Sequence, residues 1–600
     1  MAVFPLYVSG TPYAASELPA VDYAQSFDTI FLTHEFYPPA KMVRTDHDDW
    51  LHSEIAFGPS VGSPTGVGAV ATVANTDAAN TGDSYFPQEY SYIISAVDEN
   101  GQESRGSTSA SATNDTELAR NYTTISWTAP AEGTVEYYRI YKAHETGSFG
   151  FIGESDSLSF VDDGFQPDYA EAPIEAYNPF DATGSYPARC GFWEQRLWFG
   201  RTTNSPNGIF ASRSADFENM DFARPQREND SISFSIATGE SNLVNSFIPM
   251  DRLLVGTSDN IFSLVGPNDD ILVPNPPPGA RRQIGRGAVL PKPLVIGEVA
   301  FYQPRVETGL RTIGFTFEIE GYRSSDVTIF APHLFEAFRI TRIAYQAEPY
   351  SVVWSLRNDG ALLAFTWEEE QQVWGWTEID VGGTVLDVVC IPEGSESRVY
   401  MVVERSINGS TVRYVERLER AKWTDYQLTS FLDCSKIYEF SSPTDTVQGL
   451  SHLEGETVTA LIDGFETSMV VEDGEIQLPK AASKVIVGLP FEALIETMPL
   501  PDEPRRKITG EIYVELVESF DVHAGRFDAE APVGEQEKTE LVATRNEGEI
   551  GAPLLFTGQP EPIRTDQIVD RQAQVLIKQS SPYPMTVTAI HYGVESKGRG

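Results

Sequence analysis

Bulky apolar and polar side chains alternate at period two along Phe192-Trp193-Glu194-Gln195-Arg196-Leu197-Trp198-Phe199-Gly200-Arg201, and the run stops at its glycine. A turn composition follows, Asn204-Ser205-Pro206-Asn207-Gly208, and a second run starts at Ile209 and continues to Phe222. The pair reads as a β-hairpin with its turn at 204–208. Similar runs recur: Leu253–Thr257, Ile261–Val265, Pro293–Gly297, Val352–Leu356, Leu362–Trp367 and Val399–Glu404, with turn signals such as Asn358-Asp359-Gly360 and Asn408-Gly409 between them. Long amphipathic crossovers, which a parallel sheet needs, are almost absent. Short antiparallel strands at this spacing predict an all-β fold with a β-propeller core.

The pattern divides the chain. Residues 1–57 hold N-terminal strands that join the core: Phe27–His34, a proline-fixed turn at Tyr37-Pro38-Pro39, and a returning strand after Lys41. A glycine- and proline-rich stretch at 58–64 reads as a linker. Residues 58–165 carry Tyr90–Val97, a turn at Asp98-Glu99-Asn100-Gly101, Thr123–Trp127 and Tyr137–Lys142, an order that resembles a fibronectin type III-like β-sandwich inserted as a platform. Residues 166–425 read as propeller blades, 426–500 as a small β-barrel-like insert, and 501–600 as C-terminal strands completing the propeller or tip. The Pro-rich 273–279 reads as a projecting loop, and the acidic stretch near 527–551 as a long one.

Composition narrows the function. The chain has 600 residues, with 43 Lys and Arg against 87 Asp and Glu, a formal net charge of −44. Such an excess repels phosphates and opposes nucleic-acid gripping, so DNA touches this protein only by sliding past it. Cys190, Cys390 and Cys434 are widely separated and lack C-x-x-C spacing, which suggests synthesis in a reducing cytoplasm. The N-terminus lacks a signal-peptide pattern and no run approaches a membrane span.

Templates for chemistry fail one after another. His34, His47 and His52, with Asp46, Asp48 and Asp49, could form a cation site, but the i, i+4 zinc pattern is absent and a polar turn reads better. Asp98 and Glu99 lack calcium-loop spacing. Ser355–Ala361 resembles one Asp-box turn of sialidase-like propellers and reads as a hairpin turn. Trp367, Trp374 and Trp376 could form a sugar-stacking platform; blade core is the plainer reading. No catalytic, cofactor-binding or metal residue is assigned. A propeller glycan depolymerase, with paired carboxylates as acid and nucleophile, and a carbohydrate-binding receptor protein of a virion remain as alternatives.

Several stretches resemble one family in order along the chain. They are Gln25–His34 with Tyr37-Pro38-Pro39, Arg44-Thr45 and Trp50; Gln195–Gly200; Ser212–Phe217; Asn229–Phe234; Leu253–Thr257; Gln346–Pro349 with Val353-Trp354; Asn358–Leu363; and Val412–Leu418. Together with Gly449–Gly455, they look like the tail nozzle (tail tubular protein B-like) proteins of short-tailed, podovirus-type bacteriophages. The resemblance spans residues 11–500. Ala40 departs from a basic residue common in the family, and the stretch before the signature is short, so an N-terminal domain of longer members is expected to be absent.

The resemblance implies a structural, non-enzymatic virion protein made in the host bacterial cytoplasm. It would form a homo-oligomeric ring, expected to be hexameric, at the distal end of the tail. Its expected partners are the tail adaptor protein, tail fibres or spikes, the host cell envelope at the tip, and double-stranded DNA passing without sequence-specific binding. The ring would retain the genome and let DNA pass during ejection. Charge independently predicts an acidic or neutral lumen wall, with 273–279 and 527–551 as candidate gate loops and outward docking as the plainer reading of each.

Overall fold

Strands whose residues are apolar at successive positions must bury both faces, and this requirement decides how the sheets are arranged. The computed structural model describes residues 7–8, 10–59, 61–76, 85–144, 147–174, 178–222, 226–236, 242–267, 271–306, 308–499, 507–527, 536–542, 553–564, 569–570 and 573–596. These residues form β-strands and short 3-10 turns, with no α-helix among them. The fold is all-β: a β-propeller core with an inserted fibronectin type III-like sandwich and a small barrel-like domain. The chain divides into two compact units, 1–337 and 338–600.

The first unit opens with a five-stranded sheet. Asp22–Ser26, Thr29–His34, Tyr37–Arg44 and Asp49–Glu54 follow one another as an antiparallel meander, and Tyr7–Val8 adds parallel to the last. Three four-stranded antiparallel meanders come after the sandwich: blade 1 from Arg189 to Ser235, blade 2 from Val244 to Ile284, and blade 3 from Ala288 to Asp326. The first strands of the sheet and of the three blades lie side by side in chain order, as propeller blades stack. Leu253 and Val255 enter the core shared with Trp198 and Ile209 of blade 1, while Leu254 enters the core shared with Ala300 and Tyr302 of blade 3. The run is apolar at every position because both its faces are covered. Gly200 lets blade 2 pack directly on the backbone of blade 1, since a Cβ there would stand 2.9 Å from Phe247 Cζ.

The sandwich places Ser159–Asp162, Tyr122–Thr128 and Thr65–Thr72 in one sheet against Gly150–Ser155, Tyr137–His144, Gln88–Val97 and Ala110–Asn114 in the other. Trp127 from the first sheet meets Tyr138 from the second with ring centroids 5.2 Å apart. The 58–64 stretch is more than a linker: Val61 is buried in the sandwich core and Gly62 N–H donates to Glu132 O at 3.0 Å.

In the second unit, blade 4 runs from Ile340 to Ile379 and a three-stranded blade 5 from Thr384 to Arg417, sharing a core of Trp354, Leu362, Val385 and Met401. A four-stranded sheet of Asp433–Gln448, Thr457–Ile462, Phe465–Val470 and Glu475–Leu489 packs against Ile407 and Val412 of blade 5. Two C-terminal sheets follow, one built on Lys507–Ser519 with Val587–Ser596 returning to pair along it.

Three sequence expectations need correction. Phe192–Arg201 is itself a hairpin: Arg189–Trp193 pairs with Arg196–Gly200 across Glu194-Gln195, both at positive φ (45° and 59°) with no glycine to signal the turn. The chain reverses at Glu35-Phe36, and Tyr37-Pro38-Pro39 already lies in the returning strand. Pro38 is tolerated because the ladder slips between Leu32 and His34. The acidic 527–551 stretch includes a strand, Glu537–Leu541, paired with His523–Phe527; residues 528–535 and 543–551 lie outside the described residues.

One side chain ties the inner strands of the first unit. The first strand of blade 3 leaves its ladder between Val289 and Leu294, where Pro291 and Pro293 offer no N–H. The excursion carries Lys292 Nζ to Asp22 Oδ1 at 3.2 Å, Tyr23 O at 2.7 Å and Cys190 O at 3.0 Å. Asp22 also accepts from Cys190 N–H at 3.1 Å. Lys292→Met removes all three donors and leaves Asp22 buried, so a stability loss of about 2 kcal/mol is expected. A denaturation midpoint unchanged from the parent chain would show that the staple contributes nothing.

Candidate functional site

The candidate site is a junction where the described parts of the blade 1 connection, 212–222 and 226–231, meet the N-terminal sheet and the sandwich. That connection leaves the ladder, so its carbonyls need other partners. Arg196, buried on the second strand of blade 1, supplies them: Nη1 donates to Ser212 O at 2.7 Å and to Asp230 O, and Nη2 to Glu228 O at 2.7 Å. Burial pushes its guanidinium down to about 10. Ser212 Oγ accepts from Leu197 N–H at 3.0 Å, Arg213 Nη2 lies 3.3 Å from Asp230 Oδ1, and Asp230 Oδ2 accepts from Arg227 N–H at 2.7 Å.

From this knot the connection reaches outward. Glu218 Oε1 pairs with Lys41 of the N-terminal sheet at 2.5 Å. Gln102 Nε2 of the sandwich donates to Asn219 Oδ1 at 3.0 Å, and Asn219 Nδ2 donates to Asp216 Oδ2 at 2.9 Å. Asp221 is buried beside Gln102 and its Oδ2 has no hydrogen-bond partner. Burial pushes this carboxyl up to about 6, against the pull of Arg105 and Arg213. The arrangement fixes the sandwich to the blade; it offers no nucleophile.

The residues considered from sequence lie apart from this junction. His34 is buried with its Nδ1 accepting from Phe36 N–H at 3.2 Å, His52 is half-buried near Tyr13, and His47 is exposed in a turn. Burial holds the His34 and His52 imidazoles below their ordinary value. Asp46 and Asp49 serve turn bonds, to His47 N–H at 2.7 Å and Thr45 Oγ1 at 2.9 Å. Among the described residues, no group of three or more His, Cys, Asp or Glu is placed to hold a metal ion. Asp98 Oδ1 accepts from Asn100 and Gln102 N–H, an ordinary turn. Asp359 pairs with Arg357 across a hairpin turn whose Gly360 stands at φ 90°. The three thiols are each raised to about 12, chiefly by burial, which removes them as nucleophiles. The 273–279 loop is anchored where it starts, Leu272 N–H donating to Glu194 Oε2 at 3.1 Å. A cleft of about 290 Å³ opens between Pro38, Pro39, Glu54 and the segment with Asp181 and Tyr186, where proline and aromatic rings alternate with the polar Glu54, Asn178 and Asp181.

Of the three tryptophans, Trp367 is core, Trp376 is half-buried and Trp374 stands 56% exposed, so the plain core reading holds for the first, holds in part for the second and fails for the third. Sequence reasoning missed Asp221 and Lys292. Asp221 gave no signal, but Lys292 did: a cation between two prolines inside an apolar strand.

No family model and no curated protein matches the chain. It is similar to solved structures that include a putative 6-phosphogluconolactonase from Bacteroides uniformis, at 10% identity over 55% of this chain and 96% of that one, TM-score 0.26. The periplasmic gluconolactonase of Pseudomonas aeruginosa is similar at 11% identity over 55% and 96%, TM-score 0.25. Yeast RCC1 (Prp20), solved bound to Kap60, is similar at 9% identity over 53% and 78%, TM-score 0.22. Likeness at this level carries no activity to the chain.

The junction itself generates a pH prediction. Above pH 6 the folded chain holds Asp221 as a buried carboxylate that unfolding would return to water, so ionisation costs stability. As pH falls through about 6 the folded side chain takes up a proton before the unfolded one does, and the cost disappears. Asp221→Asn is therefore expected to raise stability at pH 8 by about 1–2 kcal/mol, with the gain fading toward pH 4. Thermal unfolding at both pH values checks this; a gain of equal size at each would assign the effect to packing instead.

Proposed function

We propose that this chain is a structural component of a bacteriophage tail, a subunit of the distal nozzle ring that retains the genome and passes DNA during ejection. The observation that supports it is where the nozzle-like stretches meet. Arg196 comes from Gln195–Gly200, Ser212 and Arg213 from Ser212–Phe217, and Asp230 from Asn229–Phe234; all four join in one buried knot. A second set does the same in blade 4 and its neighbour: Trp354 Nε1 donates to Gln346 Oε1 at 3.1 Å, Gln346 Nε2 to Ser397 O at 2.8 Å, and Ser397 N–H to Glu348 O at 3.0 Å. Residues placed to hold sheets together rather than to meet a substrate suit a scaffold that catalyses no reaction. The −44 charge suits it also, because an acidic wall does not hold the duplex through counterion-releasing contacts.

In this reading the ring is homo-oligomeric, with the tail adaptor above it, fibres or spikes beside it and the host envelope below, and its heterologous contacts close by rotation. The decisive measurement is imaging of virions whose copy of this chain carries a small electron-dense tag. Tag density in a ring at the distal end of the tail is expected. Density elsewhere in the particle, or none at all, would end the nozzle reading.

A further inference from the structure

The two outer strands of blade 4 carry an aromatic ladder on one face. Trp367 on Leu362–Glu368 stands directly opposite Trp374 on Val373–Ile379, and Phe365 stands opposite Trp376. Both pairs stack: Trp367 and Trp374 with centroids 5.5 Å apart and planes 13° from parallel, Phe365 and Trp376 at 4.4 Å and 23°. The inner half of the ladder is core, with Phe365 1% and Trp367 8% exposed. Its outer end is not. Trp374 is held flat against Trp367 on one side while more than half of its surface meets solvent.

We propose that this end of blade 4 is a carbohydrate-binding site, with the Trp374 indole as the stacking platform for a neutral pyranose chain. Three features choose a sugar. An indole fixed by a stacking partner has already lost the rotational freedom that binding would otherwise cost. Its ring face suits the C–H face of a pyranose, and fluctuating side chains do not have to be ordered. Next, the turn between the strands supplies planar polar groups: Glu369, Glu370, Gln371 and Gln372 are all exposed, and Gln372 N–H closes the turn on Glu369 O at 3.2 Å. Carboxylates and amides beside an aromatic face are what sugar hydroxyls need as acceptors and donors. Third, the two glutamates of the turn, Glu369 and Glu370, set the sign. They repel uronic acids and phosphorylated sugars, which leaves uncharged residues as the fitting class. The site does not depend on whether the chain forms a nozzle.

Chitohexaose, a neutral β-linked chain, is the probe, followed by ligand-observed saturation-transfer NMR with tetragalacturonate as the acidic counterpart. The full chain is expected to bind chitohexaose saturably and to ignore tetragalacturonate. Trp374→Ala should weaken chitohexaose binding by about tenfold, the worth of one aromatic contact, with only a small fall in the thermal transition from the lost stack on Trp367. Glu369→Gln with Glu370→Gln should leave the chitohexaose response in place and admit tetragalacturonate. No saturable response from the parent chain overturns the proposal, as does a response that Trp374→Ala leaves intact. If Trp374→Ala instead changes only the sedimentation of the chain, the indole is a protein contact and the sugar site is wrong.

Discussion

No blade of this protein can bury its residues alone, and that constraint governs everything else in the chain. Leu253-Leu254-Val255 sends successive side chains into two different cores, so blade 2 needs a neighbour on each face. Blade 1 has the same need and meets it with the N-terminal sheet, where Ala24 and Phe31 pack on Cys190, Leu197 and Phe199. Blade 5 meets it partly with the 433–489 sheet. Stability of this kind is a sum of nearest-neighbour interfaces, as in repeat proteins. Domains can then be inserted between blades without cost to the stack, provided that the insertion is anchored. Asn219, held by Gln102 of the sandwich, is such an anchor, and it lies on a connection rather than in a ladder.

The all-β class and most strands were legible because period-two alternation and continuous apolar runs report burial directly. Leu362–Trp367 and Val399–Glu404 lie where their patterns put them. Turns were less legible. Glu194-Gln195 carries no glycine or asparagine, and two residues at positive φ are tolerated there only because Arg196 and the strands on either side hold the hairpin. Glu537–Leu541 looked like loop because charges on an edge strand erase the alternation that marks a strand, and such charges are a common protection against edge pairing.

The junction was not legible at all, for a different reason. Arg196, Asp221 and Gln102 acquire their roles from residues more than ten positions away in sequence, and nothing in the type or spacing of a single arginine says whether it will meet water or three carbonyl oxygens. Lys292 shows the exception, since local chemistry forced it: two prolines remove N–H groups from a ladder, and a cation in such an excursion must find oxygen. Trp374 lay between these cases. Its neighbours in the pattern are core, and only the position of its strand at the blade edge leaves it exposed.

Charge closes the argument. Sheets joined by irregular corners leave many carbonyls outside any ladder, and arginine, with five donors in a planar fork, can satisfy several of them at once. Arg196 does so for Ser212, Glu228 and Asp230, Arg405 for Val381 and Gly382, and Arg189 for Ala20 and Ala188. Among the described residues, ten basic side chains lie in the interior against seven acidic ones. Among those residues the interior therefore takes up more cations than anions, which leaves the described surface that much more acidic. An acidic exterior here is in part a consequence of how the corners are held.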